Sequence, residues 1–104
     1  MVIWRGYFTS MQYSHQFEPP TGVIRIELNE KGEGEVEFWY TYLYHRDRIV
    51  TAKVAAAESF SKISSPEEAS IGIIFHINRC SAKELLGSFQ MNEPYDHGFF
   101  KLTC

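Results

Sequence analysis

The stretch Glu35–His45, EVEFWYTYLYH, decides the fold. It is an almost unbroken run of β-branched and aromatic residues, the types that suit a pleated, half-buried strand. Side chains on a strand alternate faces with period two. Val36, Phe38, Tyr40, Tyr42 and Tyr44 therefore share one face, and Glu35, Glu37, Trp39, Thr41, Leu43 and His45 share the other. At ~3.3 Å per residue the run would span about 36 Å, roughly twice the usual strand length. A strand of that length fits a small domain only if it coils, so the run predicts a curled sheet or a barrel. Both faces carry aromatics, and the alternation leaves open which one is inward.

Immediately upstream, Val23–Leu28 (VIRIEL) is the cleanest alternation in the chain: Ile24, Ile26 and Leu28 point one way, Val23, Arg25 and Glu27 the other. Asn29-Glu30-Lys31-Gly32-Glu33-Gly34 between the two runs is rich in residues that tolerate left-handed backbone. Residues 23–45 thus read as a β-hairpin. Before it, Val2–Met11 alternates loosely around Gly6, and a glycine inside a strand marks a bend or a close backbone approach. Glu18-Pro19-Pro20-Thr21-Gly22 is a stop, because proline lacks the ladder donor and glycine permits positive φ.

Downstream, Ile49–Val54 resumes the alternation, and Ile71–Asn78 (IGIIFHIN) reads as a buried strand. Two segments are ambiguous. Lys53–Ser65 contains Ala55-Ala56-Ala57-Glu58, which favours helix by propensity, and Ser65-Pro66-Glu67-Glu68 resembles a helix start of one turn at most. Ser81–Glu84 has a capping-box pattern. The competing strand Leu85–Met91, with Leu85, Gly87, Phe89 and Met91 on one face, is preferred because Gly87 would cost a helix ~1 kcal/mol. Asn92–Gly98 reads as a turn and Phe99–Thr103 as the closing strand. The expectation is an all-β domain, a small antiparallel barrel or strongly curled sheet of seven to eight strands with at most one or two short helical turns. The alternative is an α+β arrangement with one or two short helices on a curled antiparallel sheet.

The chain has 104 residues, enough for one domain, residues 1–104, with one core. Hydrophobic residues make up 44% and charged residues 22%, the balance of a globular protein rather than a disordered or membrane-embedded one. The formal net charge is −3 and no basic stripe occurs, which argues against duplex nucleic acid as a partner. No apolar run approaches the ~20 residues of a membrane span, and Met1–Arg5 enters a strand pattern without a leader. The expected location is cytoplasmic, with Cys80 and Cys104 as free thiols.

The two ends of the chain share a frame with small lipocalin-like barrels. Trp4-Arg5-Gly6-Tyr7-Phe8 resembles their opening W-x-G-x-[YFW] strand. Leu85-x-Gly87-x-Phe89 and Gly98-x-Phe100-x-Leu102 resemble their closing pair. In layout and length the chain is most similar to the cyclic-nucleotide-sensing β-barrel domain of bacterial anti-phage (CBASS) membrane effectors. The resemblance covers the ends and the aromatic hairpin, about half the chain. It implies a ligand-binding barrel, here without the transmembrane helices that precede that domain, and so a stand-alone module.

Candidate chemistry is sparse. His15, His45, His76 and His97 share no short ligand spacing with one another or with a Cys or carboxylate, so no metal site is expected. His76 lies in the most apolar strand and is expected as a core or lumen residue. Cys80 adjoins Arg79, but adjacent strand residues face opposite ways, so no activated thiolate is expected. Glu35 and Glu37 share a face and flank an acidic turn, which places them at a solvated strand start. Gly32-x-Gly34 precedes no helix and carries no phosphate-loop signature. No catalytic residue and no cofactor are expected.

The tyrosines 40, 42 and 44 suit a strand for structural reasons alone, yet aromatic faces also stack on planar ligands. The functional expectation is a non-catalytic binding module for a small planar or nucleotide-like ligand. Trp39, Tyr40, Tyr42 and Tyr44 are the candidate contacts, with Arg25 and His76 as polar partners. The alternatives are a homo-oligomeric or partner-binding protein that uses the aromatic strand, and a small barrel enzyme.

Overall fold

A computed structural model describes residues 1–11, 22–40, 49–57, 60–66, 72–92 and 95–104. Eight strands follow one another: β1 (Val2–Ser10), β2 (Gly22–Leu28), β3 (Glu33–Tyr40), β4 (Ile49–Ala56), β5 (Lys62–Ser64), β6 (Ile74–Cys80), β7 (Glu84–Asn92) and β8 (Tyr95–Thr103). Each pairs antiparallel with the next, and β8 returns to β1, so the meander closes into a barrel. Closure leaves no free sheet edge around most of the wall. Among the described residues there is no helix, and none long and apolar enough to cross a membrane.

The expected hairpin is β2–β3, with Val23 opposite Trp39, Ile24 opposite Phe38 and Ile26 opposite Val36. Its turn is built by Asn29. The Asn29 carbonyl accepts from the Gly32 N–H (2.9 Å), and its Oδ1 accepts from the N–H groups of Lys31 (2.8 Å) and Glu33 (3.1 Å). Gly32 sits at φ 78°, a conformation that glycine adopts without steric cost. The strand starts at Glu33, two residues before the expected Glu35. Thr41–His45 lie outside the described residues.

The face left open by the alternation is now fixed: Val36, Phe38 and Tyr40 point inward, and Trp39 points out. Inside, Phe8, Phe38, Phe75, Phe89 and Phe100 form a contiguous aromatic core. Phe38 stacks on Phe75 with centroids 5.7 Å apart and planes 9° off parallel, and Phe8 meets Phe38 edge-on at 5.1 Å. Phe100 closes on Phe75 at 5.4 Å. An eight-stranded barrel is just wide enough for its own side chains to fill, and here phenylalanine fills it. Ile24, Ile26, Ile63, Leu85, Met91 and Leu102 complete the packing.

Inward glycines let this wall bend tightly. A Cβ at Gly6 would collide with the Lys101 carbonyl oxygen on β8, and one at Gly87 with the His76 carbonyl oxygen on β6. Gly6 therefore marks a close backbone approach, as its place inside a strand suggested.

Five local readings are resolved or corrected, two of them segments where helix and strand both stood open. Ala55 and Ala56 are strand, opposite Ser64 and Ile63, because ladder pairing outweighs the few tenths of a kcal/mol by which alanine favours helix. Ser65 exchanges bonds with Ile73, donating its N–H to the Ile73 carbonyl (2.9 Å) and accepting the Ile73 N–H on Oγ (2.9 Å). Glu67 and Glu68 lie outside the described residues. The Ser81 hydroxyl does cap, accepting from the Glu84 N–H (3.1 Å), but it opens strand β7 rather than a helix. Most of the expected turn over Asn92–Gly98 is strand instead, because Asn92 pairs with Tyr95, Met91 with Asp96 and Gln90 with His97, while residues 93 and 94 lie outside the described residues. The expected strand 71–78 starts at Ile74. Its outward residues are half-buried or exposed, so it is not buried on both sides.

Candidate site: an outer groove across β1, β2 and β3

The barrel wall carries an exposed apolar row. Tyr7 on β1 faces Val23 on β2, Val23 faces Trp39 on β3, and Trp39 faces Ile49 on β4. All four are outward positions, with Tyr7 58% and Trp39 47% exposed. Strands lie about 4.8 Å apart, so Tyr7 and Trp39 stand about 9.6 Å from one another with Val23 as the floor between them.

One step along the strands, about 6.6 Å away, lies a polar row on the same face: Arg5, Arg25 and Glu37. The two rows enclose a groove of about 520 Å³, lined by Arg5, Gly6, Tyr7, Val23, Ile24, Arg25, Glu37, Trp39 and Thr103. That volume lies within the range of small-molecule sites, roughly 300–1,000 Å³.

The charges here are unevenly partnered. Arg25 is held between Glu27 (3.5 Å) and Glu37 (3.7 Å). Glu37 also accepts the Trp39 indole N–H at 3.0 Å, which fixes the ring over the groove. Arg5 stands directly opposite Arg25 in the β1–β2 ladder. Like charges directly opposite one another destabilise a sheet. Among the described residues, no carboxylate pairs with the Arg5 guanidinium.

Two of the sequence-derived candidates, Trp39 and Arg25, meet in this groove. Tyr40 does not: it is 2% exposed and belongs to the interior. His76 is exposed on the outer surface of β6, opposite Ser88 and Lys62, so it is neither a core nor a lumen residue. Its inward neighbours Phe75 and Ile77 force that parity. With four strand steps to β2 in either direction, His76 lies on the opposite side of the barrel. Tyr42 and Tyr44 lie outside the described residues. Arg5, Tyr7 and Val23 were missed, because β1 meets β2 only through pairing that local pattern does not reveal.

Among the described residues, one polar cluster lies in the interior. The Asp96 carboxylate is fully buried. It accepts the Ser10 hydroxyl (2.5 Å) and the His97 N–H (2.8 Å) on Oδ1, and the Tyr40 hydroxyl (2.6 Å) on Oδ2. These bonds tie β1, β3 and β8 together at one end of the barrel. The group is satisfied and sealed, the arrangement expected of a structural clamp.

A second surface hollow of about 610 Å³ lies beside β3, β4 and Pro66. Although larger, it is lined by Glu33, Glu35, Lys53 and small or turn residues, with no aromatic ring. Cys80 and Cys104 are exposed and unjoined. Among the described residues, no three His, Cys, Asp or Glu side chains converge as metal ligands.

The fold and groove thus define a closed eight-stranded meander barrel with an outward aromatic–arginine face. Comparison of the chain with protein-family models, with curated proteins and with solved structures finds no match.

Proposed function

We propose that this protein is a non-catalytic binding module that takes a small planar ligand in the outer groove, on Val23 and between Tyr7 and Trp39. The observation that carries the reading is the cross-strand row Tyr7–Val23–Trp39 with two arginines beside it. A flat ring resting on Val23 would meet an aromatic side chain at each end. The phenylalanine-filled interior directs the reading outward, because the described core holds side chains where a lumen ligand would lie.

The test is a thermal-shift panel of nucleotides and aromatic metabolites against wild type and Trp39→Ala. Stacking is worth about 1–3 kcal/mol per ring, so the variant should bind a stabilising ligand roughly tenfold more weakly or worse. A wild type that no panel member stabilises, or a ligand that binds the variant equally well, contradicts the proposal.

One observation favours a second reading, a partner-binding face. The apolar row continues past the groove to Ile49, and Phe99 on β8 lies diagonal to Tyr7. Contiguous exposed apolar surface marks interaction sites. Light scattering after size exclusion distinguishes this case, since a second copy on the row doubles the mass and Trp39→Asp restores the monomer.

A further inference from the structure

We infer that the ligand of the outer groove is an anion, a flat aromatic ring bearing one sulfonate, carboxylate or phosphate group, and that Arg5 is its charge receptor. This rests on the groove reading and names the chemistry of its occupant. Arg5 and Arg25 are direct cross-strand partners, a placement that brings their Cβ atoms to about 5 Å and sets like charges side by side. Arg25 is relieved by Glu27 and Glu37. Arg5 is exposed and, among the described residues, has no carboxylate partner.

An anion at the Arg5 end of the groove supplies a counter-charge that no described carboxylate gives. It sits one row below the aromatic pair, about 6.6 Å from the ring position along the strands. That is the reach of an acidic substituent on a bicyclic ring lying over Val23. The planar guanidinium offers two parallel N–H donors to such a group, a geometry that an ammonium does not reproduce. Glu37 adds discrimination on the other side. It holds the Trp39 N–H and Arg25 together, so an anionic group placed toward β3 meets a carboxylate and one placed toward β1 meets Arg5. The ligand's orientation is thereby set: ring between Tyr7 and Trp39, acid toward Arg5.

The probes are anilinonaphthalene sulfonate and its uncharged analogue phenylnaphthylamine, which present the same aromatic framework with and without the anion. Both are titrated by fluorescence against the folded wild type, Arg5→Gln, Arg5→Lys and Trp39→Ala. Far-UV circular dichroism checks that each variant keeps its sheet. Wild type should bind the sulfonate at least tenfold more tightly than the neutral dye. Arg5→Gln should remove about tenfold or more of the sulfonate affinity and leave the neutral dye within about twofold, since hydrogen bonds to charged groups carry that magnitude. Arg5→Lys should recover part of the loss, and the sulfonate affinity alone should fall as salt rises.

Equal binding of both dyes, unchanged by Arg5→Gln but weakened by Trp39→Ala, overturns the anion assignment and leaves the groove standing. Dye binding that ignores Trp39→Ala overturns the groove itself, and this inference with it.

Discussion

Removing one oxygen atom, by Tyr40→Phe, tests the buried clamp. The ring keeps its place, because Phe8 packs edge-on against it at 5.0 Å and the side chain is inward on β3. What disappears is the 2.6 Å bond from the Tyr40 hydroxyl to Asp96 Oδ2. Asp96 is fully buried, so no water replaces the donor without opening the barrel end. Hydrogen bonds to charged groups contribute about 1.5–3 kcal/mol, and a buried acceptor left unmatched bears its full desolvation cost. A loss of about 2 kcal/mol is expected, which lowers Tm by roughly 8–15 °C in a domain of this size. Urea titration followed by tryptophan fluorescence measures the first quantity, and calorimetry the second. Ser10→Ala removes the other hydroxyl, and the double variant should depart from additivity because both groups serve one carboxylate. A Tyr40→Phe protein within about 0.5 kcal/mol of wild type would refute the view that this cluster secures β1, β3 and β8.

Phe38→Ala should cost about 3–5 kcal/mol in urea unfolding, because Phe38 is fully buried and touches the rings of Phe8, Phe75 and Phe89. A loss below about 1 kcal/mol would mean the barrel is not filled as described. Gly6→Ala should destabilise by about 1–3 kcal/mol, since the added methyl meets β8 backbone that must move away; an unchanged midpoint contradicts the close approach. Ellman's reagent should titrate both Cys80 and Cys104 in the folded protein within the mixing time, as both are exposed and free. A single reactive thiol, or none, contradicts that placement.

Much of the wall was legible because its strands obey period two. Ile24, Ile26 and Leu28 declared the inner face of β2, and Leu85, Gly87, Phe89 and Met91 that of β7. The turn at Asn29–Gly32 was legible from residue types that solve its backbone problem locally. The inner face of β3 was not, because Phe38 and Trp39 are equally suited to burial. Pairing decided it: Phe38 stands opposite inward Ile24, and Trp39 opposite outward Val23.

The alanines at 55–56 and the serine at 81 show the same physics from the other side. A weak helix preference and a genuine side-chain cap were both absorbed into strands, because the ladder around them was already set by Gly34 opposite Val54 and by Leu85 opposite Leu102. His76 carried a usable signal, since Phe75 and Ile77 on either side of it implied an outward position.

The candidate site was half legible. Arg25 and Trp39 belong to the hairpin whose register the sequence exposes. Arg5 and Tyr7 join them only through β1–β2 pairing, across nearly twenty residues of chain whose pattern gives no register. Asp96 was placed in a turn. A lone aspartate beside a histidine and a glycine offers no mark of burial, and its partners Ser10 and Tyr40 are 86 and 56 residues away in sequence.

The central claim is that ligand binds the outside of a filled barrel. Amide and indole chemical-shift mapping by two-dimensional NMR, during titration with anilinonaphthalene sulfonate, tests it most directly. The Trp39 indole N–H and the amides of Arg5, Tyr7, Val23 and Arg25 should move together along one binding curve, while Phe75, Phe89 and Asp96 stay fixed. Shifts concentrated at Phe75, Phe89 or Asp96, with the Trp39 indole unmoved, would place the ligand inside and contradict it.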